Sequence, residues 1–320
     1  MAKGQCRIFY VADIHGSERC FRKWLNAVEV YRPDVLVFGG DIAGKVLVPI
    51  VEIAPGRYAC DQFGETVELE SGSALDAYRR QVRAGGRYDV VLSAEEKRRY
   101  DDDPGLVERE LFPRVVCDSV RAWMALADER LHGRQVPALM MLGNDDYPDL
   151  CEHLQGEHVA NVEGEVVELP GGYEMISLGY SNRTPWDSPR ELDEADLAAR
   201  VEGMAAKLAD PAWAVFNLHC PPKDSYIDQA ALLDENFTPR TEGGQMVVAG
   251  VGSTAIRAAI ERYQPLLGLH GHIHESPGVQ KLGRTVVVNP GSDYADGVLR
   301  GAIVTLNRRK GVASWQLVQG

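Results

Sequence analysis

The stretch Leu269-His270-Gly271-His272-Ile273-His274 gathers three of the chain's eight histidines behind the apolar run Pro265-Leu266-Leu267-Gly268-Leu269. In an extended segment residues two apart lie on one side, so the spacing predicts that His272 and His274 point together into one small volume. Imidazoles placed in this way suit a shared metal cluster, and the competing reading is an edge strand with solvated histidines. Gly271 has no Cβ and lets the backbone turn or come close to whatever the histidines hold. His270, inside the apolar run, reads as a packed strand residue and not as a ligand. Further ligand-type residues follow other apolar runs: Asp13 and His15, Asp41, Asn144 in Gly143-Asn144-Asp145-Asp146, and His219. Together they supply carboxylate, imidazole and amide oxygen, a mixture suited to divalent first-row metals and poor for calcium, which prefers all-oxygen ligands. If they converge, they suffice for two ions sharing one carboxylate. Two ions roughly 3.5–4 Å apart clamp a phosphoryl oxygen pair and generate a hydroxide nucleophile near neutral pH.

These residues must be positioned by strands. Arg7 to Ala12 is a β-branched and aromatic run ending at Asp13-Ile14-His15-Gly16. Glu18 to Tyr31 follows with Phe21, Trp24, Leu25, Val28 and Tyr31 at the period of one buried helical face. Asp34 to Phe38 is a second apolar strand, closed by Gly39-Gly40-Asp41. Strand, helix, strand with polar residues at the strands' carboxyl ends is a βαβ unit, and open α/β sheets bind ligands on that side. Pro137 to Leu142, Tyr173 to Leu178, Trp213 to His219 and Thr285 to Val288 repeat the pattern. An acidic helix is predicted near Leu192 to Leu208 and a closing hairpin from Gly301 to Leu306 and Val312 to Leu317.

Between the second and third of these strands the pattern changes. The stretch 52–135 is rich in Arg, Glu, Asp and Tyr, with short strands predicted at Arg57 to Cys60 and Glu65 to Glu70 about a turn at Phe63-Gly64. Ser93-Ala94-Glu95-Glu96 is a capping-box signature, and an apolar stripe runs through Val107 to Leu131. Because the sheet pattern resumes only afterwards, the stretch reads as an insertion forming a cap within a single domain spanning 1–320, with a separate small domain as the alternative.

Composition narrows the possibilities. At 320 residues, 45% apolar and 25% charged, the chain has ample core for a globular α/β protein. A formal charge of −13 argues against a broad nucleic-acid surface. The six cysteines, at 6, 20, 60, 117, 151 and 220, form no CxxC pair and read as free thiols of a reducing compartment. With no leader-like run at the start and no apolar span of membrane length, the expectation is a cytoplasmic protein.

In this order, the motifs Asp13-Ile14-His15, Gly40-Asp41, Gly143-Asn144-Asp145-Asp146, His219 and Gly271-His272-Ile273-His274 resemble those of the calcineurin-like metallophosphoesterases, D-x-H, G-D, G-N-H-D/E, H and G-H-x-H. The resemblance covers nearly the whole chain except the insertion. It implies a four-layer α/β/β/α sandwich with a di-metal site at its strand ends. Asp13, His15, Asp41 and His274 would hold one ion and Asp41, Asn144, His219 and His272 the other, with manganese, iron, nickel or zinc all acceptable. The implied reaction is hydrolysis of a small phosphate ester by in-line attack of a metal-bridging hydroxide, with Asp41, Asn144, Asp145 and His219 as catalytic positions. Asp145 stands where the family carries a histidine. The tail Asn144-Asp145-Asp146-Tyr147-Pro148 and the segment Asn289-Pro290-Gly291-Ser292 resemble a bacterial and archaeal subgroup to which phosphodiester hydrolysis is still attributed.

Charge bookkeeping gives that substitution a meaning. Two divalent ions, two carboxylates and a hydroxide leave about +1 for the substrate, which a diester monoanion neutralises. A monoester dianion overshoots, and Asp145 adds repulsion. The alternative is a protonated Asp145 serving as the acid itself. Phosphomonoesterase, cyclic-nucleotide phosphodiesterase and nuclease activities remain open on the same site, as does a non-catalytic metal-binding scaffold. Among the remaining residues, His132, His153 and His158 read as solvated. Asp146 reads as orienting the Asn144 loop, Glu275 as a partner of a liganding histidine, and Asn182, Arg183 and Trp186 as substrate contacts or an ordinary surface loop.

Overall fold

The computed structural model describes residues 4–62, 64–234 and 236–320. Phe63 of the expected turn lies outside the described residues. Strand β1 (Gln5–Val11), helix α1 (Glu18–Tyr31) and strand β2 (Val35–Gly39) form the βαβ unit that the periodicities predict. Helix α1 buries Phe21, Trp24, Leu25 and Val28. Ser17 caps it by accepting the Cys20 N–H, and Arg32 ends it in the left-handed conformation.

A small separate sheet follows, built from β3 (Val46–Ala54), β4 (Arg57–Gln62), β5 (Glu65–Glu70) and β6 (Arg87–Ser93) in the order β5-β4-β3-β6. Helix α2 (Ser73–Ala84) lies before β6, and α3 (Ala94–Asp102) opens with both hydrogen bonds of the predicted capping box. The sheet begins six residues ahead of Glu52 because β3 pairs in parallel with β6 from Val46 opposite Arg87 to Glu52 opposite Ser93. Strand β6 escapes the periodicity because its buried Asp89 is held by Arg79 and Arg83 and not by apolar contact. Helix α4 (Phe112–Leu131) follows a π-turn. Its Val116, Val120, Trp123 and Met124 pack with Phe21, Trp24 and Phe38, which makes it part of the sandwich's outer layer.

Short two-stranded pairings aside, the elements that follow are β7 (Ala138–Met141), β8 (Val159–Asn161), β9 (Val166–Leu169), β10 (Tyr173–Leu178), α5 (Glu194–Ala205), β11 (Val215–Leu218), α6 (Thr254–Tyr263), β12 (Leu267–Leu269), β13 (Gly278–Leu282), β14 (Thr285–Asn289), β15 (Arg300–Asn307) and β16 (Gly311–Gln319). They complete two six-stranded sheets, β16-β15-β1-β2-β7-β8 and β13-β14-β12-β11-β10-β9. Ile8, Tyr10, Val35 and Val37 of the first sheet pack against Met175, Val215, Leu267 and Val288 of the second. The second sheet's other face carries Ile176, Phe216 and Val287 against Leu197, Val201, Ile256 and Ile260 of α5 and α6. The layers are therefore α/β/β/α. Alternate residues of the buried strands supply both faces, which is why these strands read as unbroken apolar runs. Strands β1, β2, β7 and β8 are mutually parallel, as are β10, β11, β12 and β14, so their carboxyl ends carry loops that can meet across the two sheets. All six cysteines are unpaired, and among the described residues no helix is long and apolar enough to cross a membrane.

Candidate metal centre

The loops after β1 and β2 are held in register beyond the strands themselves. Asp13 N–H donates to Gly40 O (2.9 Å), His15 N–H to Asp41 O (3.1 Å) and Gly16 N–H to Ile42 O (2.8 Å), which brings the Asp13 and Asp41 carboxylates to one place. Asp146 ties in the loop after β7. Its fully buried carboxylate accepts the backbone N–H groups of Ile42 (3.1 Å), Ala43 (2.8 Å) and Gly143 (2.8 Å), as its expected orienting role requires. From the second sheet, His219 leaves β11 and the His270–His274 segment leaves β12. Asn289 donates to Ile273 O (2.8 Å) and Ser292 Oγ to Asp13 O (2.6 Å), so the segment after β14 stitches the two halves together.

Six of the seven ligand-type side chains face a common volume at short range. His219 Nδ1–H donates to Gly39 O (2.7 Å), which leaves Nε2 directed inward, 3.0 Å from Asn144 Oδ1, 3.4 Å from Asp41 Oδ2 and 3.8 Å from Asp13 Oδ1. His274 Nε2 lies 3.6 Å from Asp13 Oδ1 and 3.0 Å from His15 Nε2, itself 3.6 Å from Asp41 Oδ2. The donors overlap as Asp13, His15 and His274; Asp13, Asp41 and His219; and His15, Asp41 and Asp145. The seventh, His272, sits with its ring 5.4 Å from that of His219, and its backbone N–H donates to Asp13 Oδ1 (3.0 Å).

One expectation is corrected. His272 and His274 do not share one side of an extended strand. Strand β12 stops at Leu269, Ile273 N–H turns back to Gly271 O (2.8 Å), and His272 has a φ of 68°. The turn sends the two rings to opposite ends of the cluster, His272 beside His219 and His274 beside His15. His270 is fully buried, its Nδ1 2.7 Å from Leu218 O, and burial pushes its pKa down to about 4.

The backbone is strained where the ligand-type side chains sit. Asp13, His15, Asp41 and His272 have φ of 57°, 38°, 57° and 68°, the left-handed region that costs an L-residue roughly 1–2 kcal/mol. Gly40, at φ 104°, allows the close approach of His219, since a Cβ there would come within 2.8 Å of its Nδ1. The electrostatics couple buried carboxylates to buried imidazoles. Burial disfavours the Asp41 carboxylate, yet the charge of His219 beside it holds its pKa well below the usual range. Burial likewise opposes charge on His219, and Asp41 followed by Asp13 raises its pKa to about 10. Two imidazole nitrogens facing each other among buried carboxylates suit divalent metals. The hydrogen bond from Nδ1 to Gly39 O would leave Nε2 as the donor to a metal that displaces its proton.

Other groups at the mouth escape the motif reading. Lys45 Nζ forms an ion pair with Asp145, which also accepts Ser188 Oγ–H (2.5 Å) and Asn144 Nδ2–H (3.2 Å). Arg190, buried, donates to Gly143 O (2.8 Å), pairs with Glu163 and lies over the Tyr180 ring. Tyr294 packs 4.8 Å from the His15 ring. Lys45 lies only four residues after Asp41, but no local pattern shows that its loop folds back over Asp145. Arg183 pairs with Asp193 at 2.9 Å and not with the centre, while Trp186 is exposed and stacks on Phe237. Glu275 is exposed, and His158 is half-buried where a solvated ring is expected.

No protein-family model matches the chain. An uncharacterized protein of Methanocaldococcus jannaschii, MJ1162, is 28% identical over 155 residues, which cover 48% of this chain and 62% of that relative. The match thus spans less than two thirds of the relative's length. Among solved structures, TT1561 of Thermus thermophilus superposes with a TM-score of 0.54 at 13% identity, over 98% of both chains. The two share a fold. A second crystal structure matches with the same TM-score of 0.54 at 14% identity, covering 98% of this chain and 99% of the other.

Proposed function

We propose that the chain is a calcineurin-like metallophosphoesterase that holds two divalent ions and hydrolyses a small phosphate ester, preferring phosphodiesters. The observation that carries this reading is Asp41, whose carboxylate belongs to two overlapping donor groups, one with Asp13 and His219 and one with His15 and Asp145. Asp13, His15, Asp41 and His274 would hold one ion and Asp41, Asn144, His219 and His272 the other. Ions held there would supply Lewis acidity toward phosphoryl oxygens and lower the pKa of bound water.

The chain's own residues set charge and orientation. Asp13 and Asp41 bring two buried negative charges, and the Gly39 carbonyl fixes the His219 ring. Asp145 accepts hydrogen bonds and is paired to an ammonium group, contacts that support an acceptor role over the proton-donor role considered from sequence. The pairing also revises its electrostatic role, because Lys45 cancels much of the repulsion that Asp145 alone would exert on a dianion. The small sheet, whose Tyr88 hydroxyl accepts Gly44 N–H (3.0 Å), serves in this reading as a wall or cap within one domain.

The test is kcat/KM for an aryl phosphodiester and the matching monoester with manganese present. The diester should lead by tenfold or more, about 1.4 kcal/mol, and a monoester favoured by the same margin refutes the preference. Lys45→Ala exposes Asp145 to the substrate. We expect it to lower monoester kcat/KM roughly tenfold more than diester kcat/KM, and equal losses on both substrates would show that the pair plays no part in selection.

A further inference from the structure

We propose that the cleft between α1, β6 and α4 is a second anion site, separate from the metal centre, that takes a small polyphosphate. The cleft has a volume of about 570 Å³, within the range of small-molecule sites. Five arginines line it, Arg22, Arg79, Arg83, Arg87 and Arg114, against three carboxylates, a local excess of two positive charges in a chain of formal charge −13.

The carboxylates are already engaged. Asp89 is buried and holds Arg79 and Arg83, Glu18 pairs with Arg22 at 2.7 Å, and Asp118 pairs with Arg121 at 2.9 Å. The guanidinium groups of Arg87 and Arg114 make no hydrogen bond or ion pair among the described residues. Arg79 meets Asp89 through Nε, which leaves its terminal amino groups without a partner there. Guanidinium forks with spare donors match phosphate oxygens two at a time.

The walls are anchored before any ligand arrives. Asp89 clamps α2 to β6, and Ser17 Oγ–H donates to Ala84 O (2.8 Å), joining the start of α1 to the end of α2. Trp123 and Tyr88 provide apolar surface between the charges. A pocket with two arginines held on Asp89, two more with free guanidinium groups, engaged acids and limited volume favours a compact polyanion over an extended one, and the overall negative charge disfavours long nucleic acid.

The probe is tripolyphosphate, titrated calorimetrically into the full chain with magnesium in excess so that it does not strip metal. Arg87→Glu with Arg114→Glu should weaken binding at least tenfold while aryl diester hydrolysis stays unchanged. Arg87→Ala with Arg114→Ala should give a smaller loss, and this pair supplies the readout if the charge reversals do not fold. Asp41→Asn should leave tripolyphosphate binding intact. Binding within twofold of the parent in the arginine variants, or lost in Asp41→Asn, overturns the site. Tighter binding of a single-stranded 12-nucleotide DNA than of tripolyphosphate also overturns it, by reassigning the cleft to nucleic acid.

Discussion

Asp41→Asn should lower metal-dependent diester hydrolysis on the order of 10³-fold, about 4 kcal/mol of transition-state stabilisation, while the chain stays folded. Asp41 approaches both His15 (3.6 Å) and His219 (3.4 Å), so losing its charge weakens both halves of the centre together. Asparagine keeps the shape and the oxygen that accepts Asp145 N–H (3.0 Å), so the loop architecture should survive. Bound metal per chain, hydrolysis rate and melting temperature measured on one preparation separate these effects. A variant that keeps its full metal content and a rate within tenfold of the parent would remove Asp41 from the proposed role. Loss of metal with no activity in the parent either would point to the scaffold alternative.

Asp146→Ala should be the most destabilising single change near the centre, at about 3–5 kcal/mol. Three buried backbone donors, at Ile42, Ala43 and Gly143, lose their acceptor together. Each orphaned buried donor costs roughly 1–3 kcal/mol, and a water entering the vacated space recovers part of the sum. Asp146→Asn keeps one acceptor oxygen and should lose less than half as much. Urea unfolding at fixed metal concentration measures both. A loss under 1 kcal/mol for the alanine variant would mean that the two loops hold each other without Asp146. Activity should fall with stability although Asp146 contacts no proposed ligand position, because the loops carrying Asp41 and Asn144 lose their common anchor.

The elements that local rules govern were legible in advance. Helix α1 and strand β10 lie where periodicity puts them, since one buried helical face or one fully buried strand imposes its own pattern on the chain. The capping box at Ser93 is equally local. Strand β6 was not legible, because its inward Asp89 is balanced by arginines of α2, and charge balanced from another element leaves no apolar period.

For the centre itself, residue types and their order after successive strands identified the ligand-type side chains and the chemistry they suit. Their arrangement was decided in three dimensions. The turn at Gly271 separated His272 from His274, and left-handed backbone at Asp13 and Asp41 aimed both carboxylates inward. Lys45 reached Asp145 across a loop. Sequence by itself determined which donors exist and that parallel strands would deliver them to one edge, because those depend on side-chain chemistry and local periodicity. Only the tertiary structure decided which donor faces which, because that depends on loop geometry and on charges brought together from residues far apart in the chain.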